Sequence, residues 1–402
     1  MVTASPADEA ALALFEPSAA ANPRPVYHQL RTGLASIDLG VEPLVLISGY
    51  EDVRQALRHP ELFSSAQDAI DLGTPRPLIP LQVDPPDHAR YRRLLDPLFS
   101  PKATDAMEPA VRELASRLLD GFADRDGCDF HTEFSVPFPC TIFLRLFGLP
   151  LEHLDQFLAW KDAIIRPEVD DPFDGEAAKA VRDHAGAAID SYFEAVIEER
   201  QRAPGDDLLS RLLVAEIEGE RLDHDEILGI CYLFLLGGLD TVTASLDCMI
   251  ARLATHPAER RRLVEDPSMV DSAVEELLRF ETPVTVVPRM VTGTTAVGGF
   301  ELDPGTRVML VLGAADTDER VFSGADQVDF ERHGNRHFAF GAGPHRCLGS
   351  HLARRELRVA MEELHRRIPE YRVAPGVDLT YTPGIRQIDH LPLVFGGRKD
   401  PT

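Results

Sequence analysis

The sequence predicts a mainly α-helical (α+β) fold with small β-sheets. Apolar residues recur at helical spacing in successive segments between residues 103 and 217. Residues 223–255 are apolar nearly all round in their middle, as in a long helix buried at the centre of a protein. Short runs rich in β-branched residues, such as 285–292, are typical of strands. Helices therefore dominate the predicted fold, and the strands form a smaller part.

The elements before the central helix are predicted from the same patterns. Residues 24–31 and 51–58 are predicted helices, and residues 41–47 a strand. Residues 64–87 lose periodicity and are rich in proline, which predicts a long loop of the kind that is usually functional in a compact domain. Asp87 is predicted to cap the helix that follows. Further helices are predicted over residues 103–122, 135–149, 151–165, 177–200 and 206–217.

The elements after the central helix are shorter. Residues 270–280 and a segment that begins at residue 348 have helical spacing. Strands or hairpins are predicted over residues 285–292, 301–312 and 385–395. No Gly/Ser-rich linker separates these segments, which favours a single domain over residues 1–402, with residues 1–22 as a loosely ordered extension.

Composition limits the classes of partner. The 402 residues include 41 basic and 66 acidic side chains, a formal net charge of −25, which argues against nucleic acid or an anionic membrane surface as the main partner. The longest apolar run, 229–239, is too short to span a bilayer. The N-terminal residues lack the basic region of a signal peptide. A soluble, cytoplasmic protein is expected.

One of the five cysteines stands out by its surroundings. The number is odd and no Cys-x-x-Cys spacing occurs, so neither a disulfide framework nor a structural zinc site is indicated. A cysteine is most often a small buried apolar residue. Cys347, however, lies among Gly341, Gly343 and Gly349, just before a predicted helix. Dense glycines allow tight backbone turns, and a helix N-terminus favours the thiolate over the thiol.

The pattern around Cys347 resembles the haem-binding loop of the cytochrome P450 family. Residues 340–349 read Phe-Gly-x-Gly-x-His-x-Cys-x-Gly. The resemblance implies that Cys347 is the thiolate ligand of a haem iron and that Phe340 packs near the haem. It further implies that His345 reaches a haem propionate and that the amides after Cys347, including that of Gly349, hydrogen-bond the sulfur. The implied cofactor is haem b.

Two other stretches match propionate-binding positions of the same family. Residues 84–92 read Asp-Pro-Pro-x-His-x-x-x-Arg, which places His88 and Arg92 on one helical face. Such a pair is ordinarily solvated surface. In the family pattern, its histidine and arginine hold a propionate. Arg289, within 285–292, corresponds to a third propionate partner.

The middle of the central helix contains residues that are costly there. Residues 235–242 read Leu-Leu-Gly-Gly-Leu-Asp-Thr-Val, with two glycines and an acid in a buried helix. One interpretation is a glycine-mediated helix crossing, with Thr241 bonded back to a carbonyl. The resemblance implies instead the oxygen-binding kink of P450 enzymes. Gly237 and Gly238 would leave room for dioxygen, Thr241 would hydrogen-bond the oxygen, and Asp240 would relay protons.

A third motif is structural. Residues 276–279 read Glu-Leu-Leu-Arg, an i, i+3 ion pair of a kind that is common on helix surfaces. The resemblance implies that Glu276 and Arg279, joined by Arg332, form a structural lock behind the haem rather than a catalytic site.

The resemblance implies a haem-thiolate monooxygenase that inserts one oxygen atom from O2 into a small or medium apolar substrate of terpenoid, steroid, fatty-acid or aromatic type. Electrons would come from NAD(P)H through a reductase and an acidic [2Fe–2S] ferredoxin, and the protein is expected to be a monomer. The ferredoxin would dock on basic residues of two short stretches. These residues are Arg90, Arg92, Arg93, Arg346, Arg354, Arg355 and Arg358.

Within the family, the motifs are most similar to the camphor-hydroxylase type. That type has a pocket tyrosine that binds the ketone of its substrate, whereas Arg76 stands at the corresponding place here. Arg76 could therefore anchor a carboxylate, although a solvated loop arginine or a further propionate contact is the simpler interpretation. The predicted pocket residues are Arg76, Leu78, Leu233, Leu236, Val287 and Ile388.

Two other classes of function remain open for a protein with this loop. A P450-fold peroxygenase or coupling enzyme would share the Cys347 loop, but peroxygenases generally lack the acid–threonine pair found at residues 240–241. A non-enzymatic haem-thiolate sensor would need a signalling domain or a second axial ligand, and the sequence indicates neither.

Overall fold

The structure is a computed structural model that describes residues 6–38, 43–170, 175–217 and 219–396. The chain forms two compact units. The first contains Met1–Phe63, Phe99–Phe138 and Thr241–Thr402, and the second contains Ser64–Leu98 and Pro139–Asp240. No linker marks the crossings, because the chain passes between units within or beside regular elements.

Helices account for most of the described chain, as predicted. They are α1 Pro6–Ala13, α2 Pro17–Ala21, α3 Arg24–Leu30, α4 Tyr50–Arg58, α5 Asp87–Leu95, α6 Pro101–Asp120, α7 Pro137–Phe147, α8 Leu154–Ile165, α9 Gly175–Arg202, α10 Leu208–Val214, α11 His224–Leu239, α12 Thr241–Thr255, α13 Pro257–Glu265, α14 Val270–Glu281, α15 Leu312–Asp316 and α16 Ser350–Arg367. Short 3-10 turns lie at Gln67–Ala69, Asp96–Phe99, Leu151–His153 and Pro267–Met269, and a π-helical turn at His131–Ser135.

The strands form two small sheets and two ribbons. They are β1 Ala35–Asp38, β2 Pro43–Ile47, β3 Phe63–Ser64, β4 Gly127–Asp129, β5 Glu216–Ile217, β6 Glu220–Arg221, β7 Val286–Val291, β8 Thr295–Val297, β9 Phe300–Leu302, β10 Arg307–Val311, β11 Tyr371–Val373 and β12 Pro392–Phe395. The larger sheet has the order β1-β2-β10-β7-β3, and the smaller has the order β11-β12-β4. Within the larger sheet β10 runs parallel to β2 and antiparallel to β7.

The first unit has its core against the larger sheet. Val45, Val308 and Leu310 pack with helix α4 and with Phe338, which lies near the start of the Cys347 loop. Phe338 is 4% exposed, so its packing among the strands and α4 anchors the start of the loop in this core.

The N-terminal segment differs from the prediction of a loosely ordered extension. Residues 6–22 contain α1 and α2, and the alanine-rich face of α1 is buried. Ala10 is 1% exposed and Ala11 0%, and both pack with Tyr27 of α3. Alanines carry little apolar signal in the sequence, yet their small side chains let the helix approach its neighbours closely. Residues 1–5 lie outside the described part.

The central helix is broken once. In α11, Asp223 and Glu226 form a reciprocal capping box that fixes the start, and the helix ends at Leu239. Asp240 stands between α11 and α12 with non-helical dihedral angles. The sequence predicted one long helix over residues 223–255, and the family resemblance implied a kink within residues 235–242.

By length and composition alone, the segment His224–Thr255 would be long and apolar enough to cross a membrane, although the apolar run 229–239 within it is too short to do so. Its most apolar window is 72% buried inside the protein, as expected for a core helix.

Several short elements were not predicted. Helix α13 is one of them. Helix α15 and strand β1, of five and four residues, are too short for their periodicity to be recognised. The predicted helix 206–217 ends at Val214 and continues as β5, and of the predicted strand 385–395 only β12 is regular. Asp87 does not cap α5, because it is the first helical residue and its side chain accepts no capping hydrogen bond.

Candidate functional site

The loop over residues 337–349, in the first unit, is held in shape by its backbone. The Cys347 N–H donates to the Phe340 carbonyl at 2.8 Å. Gly343 has a φ of 68°, and a Cβ on it would lie 2.2 Å from the Leu57 carbonyl oxygen. Only glycine fits this position. The sequence pattern therefore reflects a real steric requirement of the loop that carries Cys347.

The cysteines differ in exposure. Cys347 is exposed, and the other four are buried. Burial raises the pKa of the Cys128 and Cys248 thiols to about 12, which makes them poor thiolates. Cys347 is thus the cysteine that can bind a metal. An accessible sulfur on a glycine-shaped loop, three residues before α16, fits the axial thiolate ligand of a haem.

Other predicted residues of the first unit lie on separate elements. His345 is half-buried on the Cys347 loop, and Gly349 precedes α16. Arg289 is 6% exposed on β7, where its guanidinium donates to the Pro288 carbonyl at 2.6 Å. Val287 is half-buried on the same strand, and Ile388 is fully buried.

Glu276, Arg279 and Arg332 form one buried ion-paired cluster. Arg279 Nε and Nη2 each donate to a Glu276 carboxylate oxygen at 2.8 Å, and Arg332 Nε lies 3.0 Å from Glu276 Oε2. Arg279 also donates to the carbonyls of Asp316 and Ala325 at 2.8 and 3.0 Å. The cluster therefore ties α14 to the chain that leads into the Cys347 loop.

In the second unit, His88 and Arg92 lie one turn apart on α5. His88 is 3% exposed, and burial, assisted by the Arg92 charge, lowers its pKa. Arg92 Nε lies 2.7 Å from Asp96 Oδ1. The burial of His88 rules out the simpler interpretation of a solvated His/Arg pair.

The two glycines at the end of α11 have different surroundings. Gly237 is exposed, and no atom would lie within 4 Å of an added Cβ. An added Cβ on Gly238 would lie 2.4 Å from Cδ2 of Phe143. Gly237 therefore keeps space open beside the helix, whereas Gly238 allows close packing of α7. Leu233 is half-buried and Leu236 buried on the same helix.

Asp240 is fully buried and is held by two cations. Lys161 Nζ donates to Oδ1 at 2.9 Å, and Arg166 Nη2 donates to Oδ2 at 2.9 Å. Both cations also contact Asp162, at 2.7 and 3.0 Å, and the Asp162 side chain is 51% exposed. Sequence reasoning missed Lys161 and Arg166. The one available signal was a lysine on the apolar helix α8.

Thr241 follows Asp240 as the first residue of α12. It is half-buried, and its carbonyl accepts the Ser245 hydroxyl at 2.7 Å. The acid and the alcohol of the sequence motif therefore stand at the break between two helices rather than inside one.

Arg76 does not have the surroundings expected of a substrate anchor. Its guanidinium lies 2.6 Å from Asp190 Oδ1 on α9 and 3.2 Å from Asp225 Oδ1 on α11. Two carboxylates therefore already pair with the guanidinium nitrogens that a substrate carboxylate would need. The sequence could not reveal this, because both partners lie more than a hundred residues away. Leu78, in the same loop, is fully buried.

Most of the arginines predicted to dock a ferredoxin also have carboxylate partners. In the first unit, Arg354 pairs with Glu275, Arg355 with Asp105 and Glu108, and Arg358 with Glu108 and Glu362. In the second unit, Arg90 pairs with Glu226 and Arg92 with Asp96. Arg93 and Arg346 are exposed.

The fold is mainly helical, its accessible cysteine lies on a loop shaped by glycines, and a buried Glu–Arg–Arg cluster ties α14 to the chain that leads into that loop. Together these features define the class of haem-thiolate proteins. The cytochrome P450 family model matches residues 26–371. The chain belongs to the cytochrome P450 family and is a haem-thiolate monooxygenase.

Relatives and solved structures agree with this family. The vitamin D(3) 25-hydroxylase of Pseudonocardia autotrophica is 34% identical over 391 residues, which cover 94% of each chain. The steroid C26-monooxygenase of Mycobacterium tuberculosis strain H37Rv is 33% identical over 357 residues, 88% of each chain. The structure of CYP109E1 from Bacillus megaterium in complex with testosterone has a TM-score of 0.88 and 28% identity, and the match covers 95% of this chain and 100% of that one.

Proposed function

We propose that this monooxygenase hydroxylates a neutral, apolar, ring-containing substrate of about the size of a steroid. Relatives named for vitamin D3 and for steroids, and a similar structure with testosterone, support this class. The engagement of Arg76 by Asp190 and Asp225 favours a neutral substrate over a carboxylate. Haem, bound by Cys347 with His88, Arg92, Arg289 and His345 as propionate partners, supplies the oxygen activation and C–H oxidation.

The ion pairs of Arg76 support the substrate class, and the environment of Asp240 supports the proton delivery that the reaction needs. This carboxylate is fully buried, yet the cations that hold it, Lys161 and Arg166, also contact the half-exposed Asp162. A shift of either cation toward Asp162 frees an oxygen of Asp240 to accept a proton from the solvent side. Asp240 then passes the proton toward the hydroxyl of the adjacent Thr241, beside the space left open at Gly237.

The proposed electron donor is an acidic [2Fe–2S] ferredoxin, reduced by NAD(P)H through its reductase. Arg346 is exposed next to Cys347, and Arg93 is exposed on α5. Because the chain carries a net charge of −25, an acidic partner would be attracted to the exposed arginines Arg346 and Arg93 and repelled by most of the remaining surface. We also propose that the enzyme is a monomer and that it is located in the cytoplasm.

Turnover under isotopically labelled dioxygen tests the proposal. Purified enzyme is supplied with NADPH, reductase and ferredoxin, with testosterone and vitamin D3 as probes. The expected results are a low-spin to high-spin change on binding and a monohydroxylated product with one labelled oxygen atom. If neither probe binds or reacts while a fatty acid does, the substrate class is wrong. If hydrogen peroxide alone supports equal turnover, the enzyme is a peroxygenase.

A further inference from the structure

Three elements of the first unit meet at one carboxylate, that of Glu275 on α14. Arg354 of α16 binds it with both arms of its guanidinium, at 2.6 Å from Oε1 and 2.9 Å from Oε2. His337 of the Cys347 loop lies with Nε2 at 3.2 Å from Oε2. Burial opposes ionisation, yet the hydrogen bonds from His337 and Arg354 lower the pKa of Glu275 to about 2. Glu275 is therefore a permanent anion between a helix and a loop.

The hydrogen bonds of His337 fix its orientation. Its Nδ1 accepts the Ala339 N–H at 3.2 Å, which assigns the proton of the neutral ring to Nε2, where it donates to Glu275. The His337 side chain is 3% exposed. The start of the Cys347 loop is thus bound to Glu275 through a buried ring rather than through a mobile surface contact.

Arg354 also covers the aromatic ring of the loop. Its Cζ lies 4.3 Å from the centroid of Phe340, within the range of a cation–π contact. The carbonyl of Phe340 accepts the N–H of Cys347 at 2.8 Å. A continuous path of contacts therefore runs from Glu275 through Arg354 and Phe340 to the backbone of the ligating cysteine.

We propose that Arg354, held by Glu275, is a positioning residue for the haem ligand rather than a docking residue for the redox partner. By fixing the ring and carbonyl of Phe340, it fixes the Cys347 loop in the conformation that presents the thiolate to haem. The proposal rests on the haem-thiolate function of the protein. It separates Arg354 from the exposed Arg346, which remains in the docking proposal.

The contacts that link Glu275 to Phe340 require both the guanidinium of Arg354 and the carboxylate of Glu275. A lysine is a point charge that can neither bind both oxygens of Glu275 nor stack flat on Phe340. Replacing Glu275 with glutamine removes the charge that holds the guanidinium in place. Arg354→Met, Arg354→Lys and Glu275→Gln should therefore all disturb the same loop, although they change the local charge in different ways.

The test measures the reduced carbon-monoxide complex of the haem-loaded variants, counting only protein that retains haem. In all three, the fraction with the red-shifted Soret band of thiolate ligation should fall about twofold or more below the wild-type value, because the loop no longer holds Cys347 in place. Ferredoxin affinity should stay within about twofold of the wild-type value, as expected for a residue outside the docking surface.

The matched control is Arg367→Met. Arg367 lies on the same helix, is 20% exposed against 28% for Arg354, and also pairs with a carboxylate, that of Asp120. It should keep the wild-type spectrum. A full thiolate band in Arg354→Met and Glu275→Gln, or loss of ferredoxin affinity as their only defect, would overturn the proposal. Lack of the thiolate band in the wild type would instead overturn the haem-thiolate function itself.

Discussion

Asp240 is stable in the interior only because each of its oxygens has a cation. A buried carboxylate without partners would cost several kcal/mol in desolvation, and removal of one partner of a buried ion pair typically costs about 3–5 kcal/mol. Lys161 is itself 2% exposed, so the three side chains depend on one another. The same ion pairs hold the Asp240 carboxylate in place directly before Thr241 in the chain.

The first prediction concerns Thr241. Thr241→Ala should leave haem and substrate binding nearly intact but divert electrons to hydrogen peroxide, because proton delivery loses its hydroxyl. Asp240→Asn should instead slow the whole cycle. The measurement compares NADPH consumed, product formed and peroxide released.

Thr243→Ala is the matched control for this prediction. Thr243 lies on the same helix as Thr241, and its hydroxyl donates to the Ser135 carbonyl at 3.0 Å. That variant should stay coupled to product formation. Full coupling in Thr241→Ala would mean that protons reach the oxygen by another route.

At the scale of elements, the loop over residues 64–86 is bound tightly to α9 and α11. The Tyr232 hydroxyl donates to the Leu72 carbonyl at 2.7 Å. A Cβ on Gly186 would lie 1.9 Å from the Gly73 carbonyl oxygen, so loop and helix touch through their backbones. Together with the Arg76 pairs, these contacts explain how a segment with little regular structure is fixed against two helices.

The second prediction follows for Arg76. Arg76→Ala should destabilise the protein by about 1–3 kcal/mol, because it leaves the half-buried Asp190 without its cation. It should weaken neutral and carboxylate ligands equally. The double variant Arg76→Ala/Asp190→Asn should recover most of the loss. Denaturant unfolding measures the first effect and ligand titration the second.

The control is Arg202→Ala, since Arg202 is 76% exposed and lies 3.6 Å from Glu198. It should change stability by no more than about 0.5 kcal/mol. A selective loss of carboxylate ligands in Arg76→Ala would restore Arg76 as a substrate anchor.

The third prediction is a pH dependence carried by α16. Burial raises the pKa of Glu356 to about 8 from its ordinary 4.5, and the residue is 3% exposed. Below pH 4.5 the carboxyl is protonated in both folded and unfolded states, so its full contribution to stability is present. As the pH rises toward 8, the unfolded state loses its proton first and the free energy of unfolding falls by up to a few kcal/mol. Above 8 this dependence ends.

Glu356→Gln should therefore equal the wild type near pH 4.5 and exceed its stability near pH 8. Thermal unfolding at a series of pH values measures the difference. Glu362→Gln, on the same helix but paired with Arg112 at 2.6 Å, should instead lose stability in the neutral range. An unchanged pH dependence in Glu356→Gln would show that the group ionises freely in the folded protein.

At the scale of the whole molecule, charge governs the approach of a redox partner. The net charge of −25 would repel the acidic ferredoxin that we propose as electron donor, so its binding would depend on exposed positive residues. The fourth prediction is that reduction by ferredoxin slows steeply with added salt and with Arg346→Glu or Arg93→Glu. Stopped-flow reduction at several ionic strengths measures this.

Arg261→Glu makes the same change of charge at an exposed position on α13. It should have a smaller effect, because long-range repulsion is screened over roughly 10 Å at 0.1 M salt. Reduction that does not depend on salt, or equal losses in all three variants, would refute docking at Arg346 and Arg93.

The sequence by itself determined the features that depend on neighbours along the chain. Gly341 and Gly343 are required by their positive φ values, and Gly343 also by one close backbone approach. Glu276 and Arg279 meet because residues three apart share a helical face. Long periodic segments fixed most helices within a few residues. These requirements are local, so a single sequence records them.

Only the tertiary structure decided which partners the functional side chains have. Lys161 and Arg166 lie 79 and 74 residues from Asp240, and Glu275 lies 79 residues from Arg354. Such pairs form when packed helices bring distant turns together, and charge pairing has no periodicity along the chain that would reveal it. For the same reason the sequence left Arg76 open as a ligand anchor, a solvated arginine or a propionate contact, whereas in the fold it is an ion-pair partner.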